Sequence, residues 1–131
     1  MYHIVILEPD ASIVDLYRKQ IAVMGLSNHM AIEYARTAEE TQRIGSSLLT
    51  SPEMGLACLV VDADAFHSHA VRKACELIGP FTSYKPGLLV FMTGFYGRGR
   101  DELAKVGVRG EVEKLSLVGE ICKLLTVQVR M

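Results

Sequence analysis

Leu59-Val60-Val61-Asp62 is a short, unbroken apolar run that ends in a carboxylate, and no other stretch constrains the fold as much. An apolar run of this length without polar alternation is a strand buried on both faces, the kind found inside a parallel sheet. Its last residue then stands at the carboxyl end of the strand. That is the edge at which open α/β sheets bind their ligands.

The rest of the chain repeats the theme. Tyr2 to Leu7 is a second buried run, closed by Glu8 and stopped by Pro9. Asp10 or Ser12 is placed to cap the helix that follows, whose apolar face carries Ile13, Leu16, Tyr17, Ile21 and Met24 before Gly25 ends it. Met30 to Ala35 alternates as a weaker strand, and Thr37-Ala38-Glu39-Glu40 is a capping box for a helix reaching Leu49. Leu56 to Asp62 is expected as the third strand. The next helix carries Val71, Ala74, Cys75 and Ile78 and is expected to stop at Gly79-Pro80.

Gly87 to Thr93 is again an apolar run closed by a polar residue. A loop rich in glycine and arginine spans Gly94 to Arg100, and a short helix runs from Asp101 to Lys105, ended by Gly107. Val108 to Val112 reads as a brief fifth strand with Lys114 just beyond it. Ser116 is placed to cap a last helix that aligns Leu117, Ile121, Leu124 and Gln128. Strand and helix thus alternate throughout. The fold expected is an α/β three-layer sandwich, with residues 1–131 as one domain around a five-stranded parallel sheet of flavodoxin-like order 2-1-3-4-5.

Composition narrows the partners. Hydrophobic residues make up 50% of the chain and the formal net charge is −1, which gives no electrostatic reason to expect nucleic acid or a membrane surface. No apolar run approaches the roughly 18 residues of a spanning helix. Met1-Tyr2-His3-Ile4 lacks the basic start of a signal peptide, so a cytoplasmic location is expected. Cys58, Cys75 and Cys122 are odd in number and widely spaced, as expected of reduced thiols rather than a metal site.

On such a sheet Glu8, Asp62, Thr93 and Lys114 fall on one edge, with Glu8 and Asp62 adjacent at the point where the strand order reverses. Two carboxylates that close share a proton or hold a hard cation such as Mg²⁺. A lysine neutralises a phosphoryl oxygen, a threonine hydroxyl donates to another, and an aspartate can itself accept the group as an acyl phosphate. The set suits phosphoryl transfer.

In this order and spacing the residues resemble the receiver domains of two-component response regulators, over nearly the whole chain. Leu59-Val60-Val61-Asp62 is similar to the family's phosphoacceptor strand, Phe91-Met92-Thr93-Gly94 to its strand with a switch hydroxyl, and Gly107 to Lys114 to its glycine-to-lysine segment. The resemblance implies Asp62 as phosphoacceptor and Thr93 and Lys114 as switch and phosphoryl-binding residues. It implies Mg²⁺ as cofactor, held by Glu8 and Asp62, with Asp10 as a further candidate. The implied partners are a histidine kinase or phosphotransfer protein, and a second copy or an output domain on the face of the fourth helix, fifth strand and fifth helix. It implies no turnover enzyme, beyond assisting its own phosphorylation and dephosphorylation.

Three positions depart from the family pattern: Pro9 where a second acid is usual, Glu111 where an aromatic is common, and Leu115 where proline is common. They motivate a second function class, a phosphorylation-independent pseudo-receiver that works as a protein-interaction module. A nucleotide binder ranks last, because the acidic Glu8-Pro9-Asp10-Ala11-Ser12 segment is no phosphate cradle. Among single residues, Asp10 suits a helix cap better than a ligand, and Asp64, two residues after Asp62, is a candidate to lend the site a carboxylate but reads first as a solvated loop acid. His67 and His69 have no third ligand nearby, and Arg98 and Arg100 belong to the glycine-rich loop.

Overall fold

The computed structural model describes residues 1–94 and 99–125. Among these, the strands are β1 (Tyr2–Leu7), β2 (Met30–Ala35), β3 (Cys58–Asp62), β4 (Leu89–Thr93) and β5 (Gly110–Glu111). The helices are α1 (Ala11–Val23), α2 (Ala38–Leu49), α3 (Ala70–Tyr84), α4 (Arg100–Lys105) and α5 (Leu117–Leu125). All strand pairs are parallel and the order is β2-β1-β3-β4-β5. This is the flavodoxin-like order expected from the alternation.

Strand periodicity distributes the core to two faces. Ile4, Ile6, Cys58, Val60 and Phe91 point to the layer of α1 and α5, where they meet Tyr17, Ile21, Leu117, Val118 and Ile121. Val5, Leu7, Leu59, Val61, Val90 and Met92 point the other way, to Leu48, Ala74, Ile78, Phe81 and Leu103 of α2, α3 and α4. β1 and β3 are central and sealed on both sides. Cys58 is fully buried, which pushes its thiol up to about 12.

Helix starts follow the expected chemistry. Asp10 caps α1 by accepting from Ser12 N–H, and Thr37 caps α2 by accepting from Glu40 N–H at 3.1 Å. Glu40 reaches back to the amide of Arg36, one residue before the cap. Several boundaries differ from expectation, each for a local reason. β3 begins at Cys58 rather than Leu56, because the Leu56 carbonyl accepts from Lys85 Nζ at 2.6 Å. β4 begins at Leu89, because the Leu88 amide turns back to the Lys85 carbonyl. β5 is only Gly110–Glu111, flanked by single bonds from Arg109 N–H to Val90 and from Val112 N–H to Met92.

Gly79-Pro80 does not end α3, which runs on to Tyr84. Pro80 is exposed, while Phe81 beside it is buried against Gly45 of α2; a Cβ there would lie 2.7 Å from the Phe81 ring. The aromatic anchor holds the last turn in place. Met24 and Leu124 are exposed rather than on the buried faces, and Val14 and Val118 are buried instead. α4 starts one residue early, at Arg100. Ser116 is the third residue of a 3₁₀ turn, Lys114–Ser116, that passes directly into α5. Gln128 and Arg98 lie outside the described residues.

Candidate functional site

The site is built where the sheet edge concentrates side chains. Leu7 pairs with Val61, so Glu8, the next residue, lies alongside Asp62; Asp62 in turn pairs with Thr93. Glu8, Asp62 and Thr93 are 1%, 0% and 1% exposed, an unusual degree of burial for two carboxylates. Burying charge without a partner is costly, and Lys114 supplies the partner. It opens the 3₁₀ turn after β5, which swings its side chain back over the sheet edge. Its Nζ lies 2.9 Å from Glu8 Oε1 and 3.0 Å from Asp62 Oδ2. All four residues expected at the site are therefore at one sheet edge.

The electrostatics follow from this arrangement. Burial pushes the Glu8 carboxyl above its ordinary range, and the charge of Asp62 adds to that, against the bonds from Lys114 and from Asp10 N–H. Burial alone would lower the Lys114 ammonium, but its bonds to Glu8 and Asp62 outweigh burial and hold it above its ordinary value. The Glu8–Asp62–Lys114 cluster is one unit.

Asp10 is the expected residue that stands apart. Its Oδ1 accepts from the Ser12 amide at 2.9 Å and the Ser12 hydroxyl at 2.7 Å, and these bonds hold its carboxyl below the usual range. It is a helix cap. Two features add to the sequence reading. Gly94 has φ +64°, and a Cβ there would press against Asp62 Oδ1 and lie 2.9 Å from Asp64 Oδ2. A side chain at position 94 would therefore press on Asp62, which is itself fully buried, while Asp64, read as a solvated loop acid, is exposed beside it. Asp62 Oδ1 also accepts from the Asp64 amide at 3.2 Å.

The second feature is Tyr17, fully buried, with its ring 6.5 Å from that of Tyr34 in a stacked pair. Its hydroxyl is buried without a hydrogen-bond partner among the described residues. Burial raises its pKa, with further contributions from the charges of Glu8 and Asp62.

A Mg²⁺ ion takes about six oxygen ligands in near-octahedral order. Here Glu8 and Asp62 face a shared ammonium, Asp64 faces Asp62 from the Gly94 side, Pro9 has no side-chain oxygen, and Asp10 is turned to its cap. Among the described residues, no three acidic, histidine or cysteine side chains converge in a way that could hold a metal ion. Glu8 and Asp62 are the two carboxylates that would hold such an ion, and the Lys114 ammonium occupies the position between them.

No family model and no curated protein matches the sequence. Solved structures do match it in fold. A response regulator receiver protein from Burkholderia phymatum aligns over 100% of both chains with a TM-score of 0.66 at 13% identity. A two-component response regulator from Legionella pneumophila gives 0.67 at 15% identity over 95% of both chains. A LuxR family DNA-binding response regulator from Silicibacter pomeroyi gives 0.59 at 10% identity, over 92% of this chain and 88% of that one. The chain has the receiver fold.

Proposed function

We propose that this chain is a receiver-type signalling domain in which Asp62 accepts a phosphoryl group from a histidine kinase, a phosphotransfer protein or a small phosphodonor. One observation carries the reading: Lys114 reaches across the sheet edge to a fully buried Asp62 that is in register with Thr93. An ordinary loop carboxylate has no need of a lysine held against it and a neighbouring hydroxyl. In the transfer, a carboxylate oxygen of Asp62 attacks phosphorus, the donor's bond to phosphorus breaks, and the electron pair leaves with the donor. Oδ1, the oxygen that does not face Lys114, is the one assigned to the attack. Lys114 then stands beside the new phosphoryl oxygens, and the Thr93 hydroxyl is the donor that turns toward them.

The consequence of phosphorylation is carried by β5, α4 and α5, since Lys114 lies in the short connection between β5 and α5. That face is the proposed surface for a second copy or an output domain, in the cytoplasm. A second reading, an interaction module that works without phosphorylation, is favoured by Pro9 and by the diversion of Asp10 into a cap. Labelling with radioactive acetyl phosphate separates the two. Hydroxylamine-sensitive label on the wild type that is lost in Asp62→Asn supports the phosphoacceptor. An unlabelled wild type whose partner binding survives Asp62→Asn leaves the interaction module.

A further inference from the structure

A carboxylate pair of the kind formed by Glu8 and Asp62 has two ways to be neutralised from outside itself, a bound divalent cation or a fixed ammonium. We infer that in this protein Lys114 is the resident cation of the acid pair, in place of a divalent metal, so that the chemistry of Asp62 is metal-independent.

Three observations carry this. The ammonium sits within 3.0 Å of both acids, so an ion brought between them would meet a like charge at contact distance. The residue after Glu8 is Pro9, and the next acid, Asp10, spends its Oδ1 on the amide and hydroxyl of Ser12. Glu8 Oε2 accepts from the Asp10 amide at 3.0 Å, so its second oxygen is also engaged by the protein. Asp64 adds an oxygen only on the far side of Asp62 Oδ1, beside Gly94, away from the oxygen that faces Lys114. Among the described residues, no three His, Cys, Asp or Glu side chains group in a way that could hold a metal ion. Lys114 keeps the role through the transfer: it neutralises Asp62 before the phosphoryl group arrives and a phosphoryl oxygen afterwards.

The test uses the whole chain, isotopically labelled, with Mn²⁺ as a paramagnetic stand-in for Mg²⁺. At millimolar Mn²⁺ the amides of Glu8, Asp62, Asp64 and Gly94 are expected to show no saturable broadening. Saturable broadening that disappears in Asp62→Asn overturns the inference. Lys114→Met, where circular dichroism shows it folded, is expected to gain broadening at Glu8 and Asp62; a folded variant that gains none overturns the inference as well. If that variant does not fold, the wild-type titration decides.

A second arm rests on the phosphoacceptor reading. Labelling by acetyl phosphate in EDTA is expected to match labelling in Mg²⁺ within about twofold, and a loss of about tenfold or more in EDTA overturns metal independence. Absence of label under both conditions counts against the phosphoacceptor reading alone. The Mn²⁺ titration then judges the resident cation by itself.

Discussion

Arg100 and Lys114, both in the C-terminal third of the chain, make ionic contacts of nearly the same length. Arg100 Nη2 lies 2.8 Å from Glu111 Oε1, joining α4 to β5, and Lys114 Nζ lies 2.9 and 3.0 Å from Glu8 and Asp62. Their surroundings differ entirely. The arginine side chain is 69% exposed and the glutamate 29%, whereas the acids that hold Lys114 are sealed from water. In solvent an ion pair is screened and its attraction is largely returned by lost hydration and side-chain entropy. In the interior, the removal of one partner strands a charge that has nowhere to go. Distance alone says nothing about which contact holds the protein together; burial does.

The largest expected effect comes from breaking the buried cluster. Lys114→Met is expected to lower unfolding stability by about 3 kcal/mol, because it leaves two buried acids without their cation. Urea denaturation with an unchanged m-value would register this as a shift in midpoint. A loss below about 0.5 kcal/mol would mean that the acids are solvated after all.

A smaller effect should come from pH. The folded Glu8 carboxyl holds its proton above the ordinary value of 4.5, so the native state carries more protons than the unfolded chain just above that value. The stability contributed by that proton is complete below pH 4.5 and is lost as pH rises through the folded value. Glu8→Gln should therefore flatten the decline above pH 4.5, measured by denaturation at a series of pH values. A profile identical to the wild type would assign the decline elsewhere. Lys114 obeys the same sign at the alkaline end: its contribution is complete below pH 10.5 and is lost above it.

The smallest effect belongs to the exposed pair. Arg100→Ala should cost no more than about 0.5 kcal/mol, and less as salt is added. A cost that equalled that of Lys114→Met at high salt would erase the contrast between the two contacts.

β1 and β2 could be read from the sequence to the residue, since each lies between clear stop signals, Glu8-Pro9 in one case and Arg36-Thr37 in the other. The strand order followed from the alternation of elements. What could not be read depended on partners remote in sequence. Leu56 looks like strand until the Lys85 ammonium claims its carbonyl, and Pro80 looks like a stop until Phe81 anchors the turn against Gly45. The site shows the same division. Glu8, Asp62, Thr93 and Lys114 sit at or just beyond strand ends, so period and order placed them together. Asp64 sits in a 3₁₀ turn (Ala63–Ala65), and its position beside Asp62 depends on the absent side chain of Gly94.

The sheet has two borders, and they are not equally open. β5 offers only Gly110–Glu111 to a newcomer, too short a rail for another strand to register against. β2 presents six residues at the opposite border, with exposed Glu33 in its middle. A charge at that place is a common guard against edge-to-edge association. Any templated growth of this sheet into fibrils or exchanged dimers would have to begin at β2, and Glu33 is the residue that stands in its way.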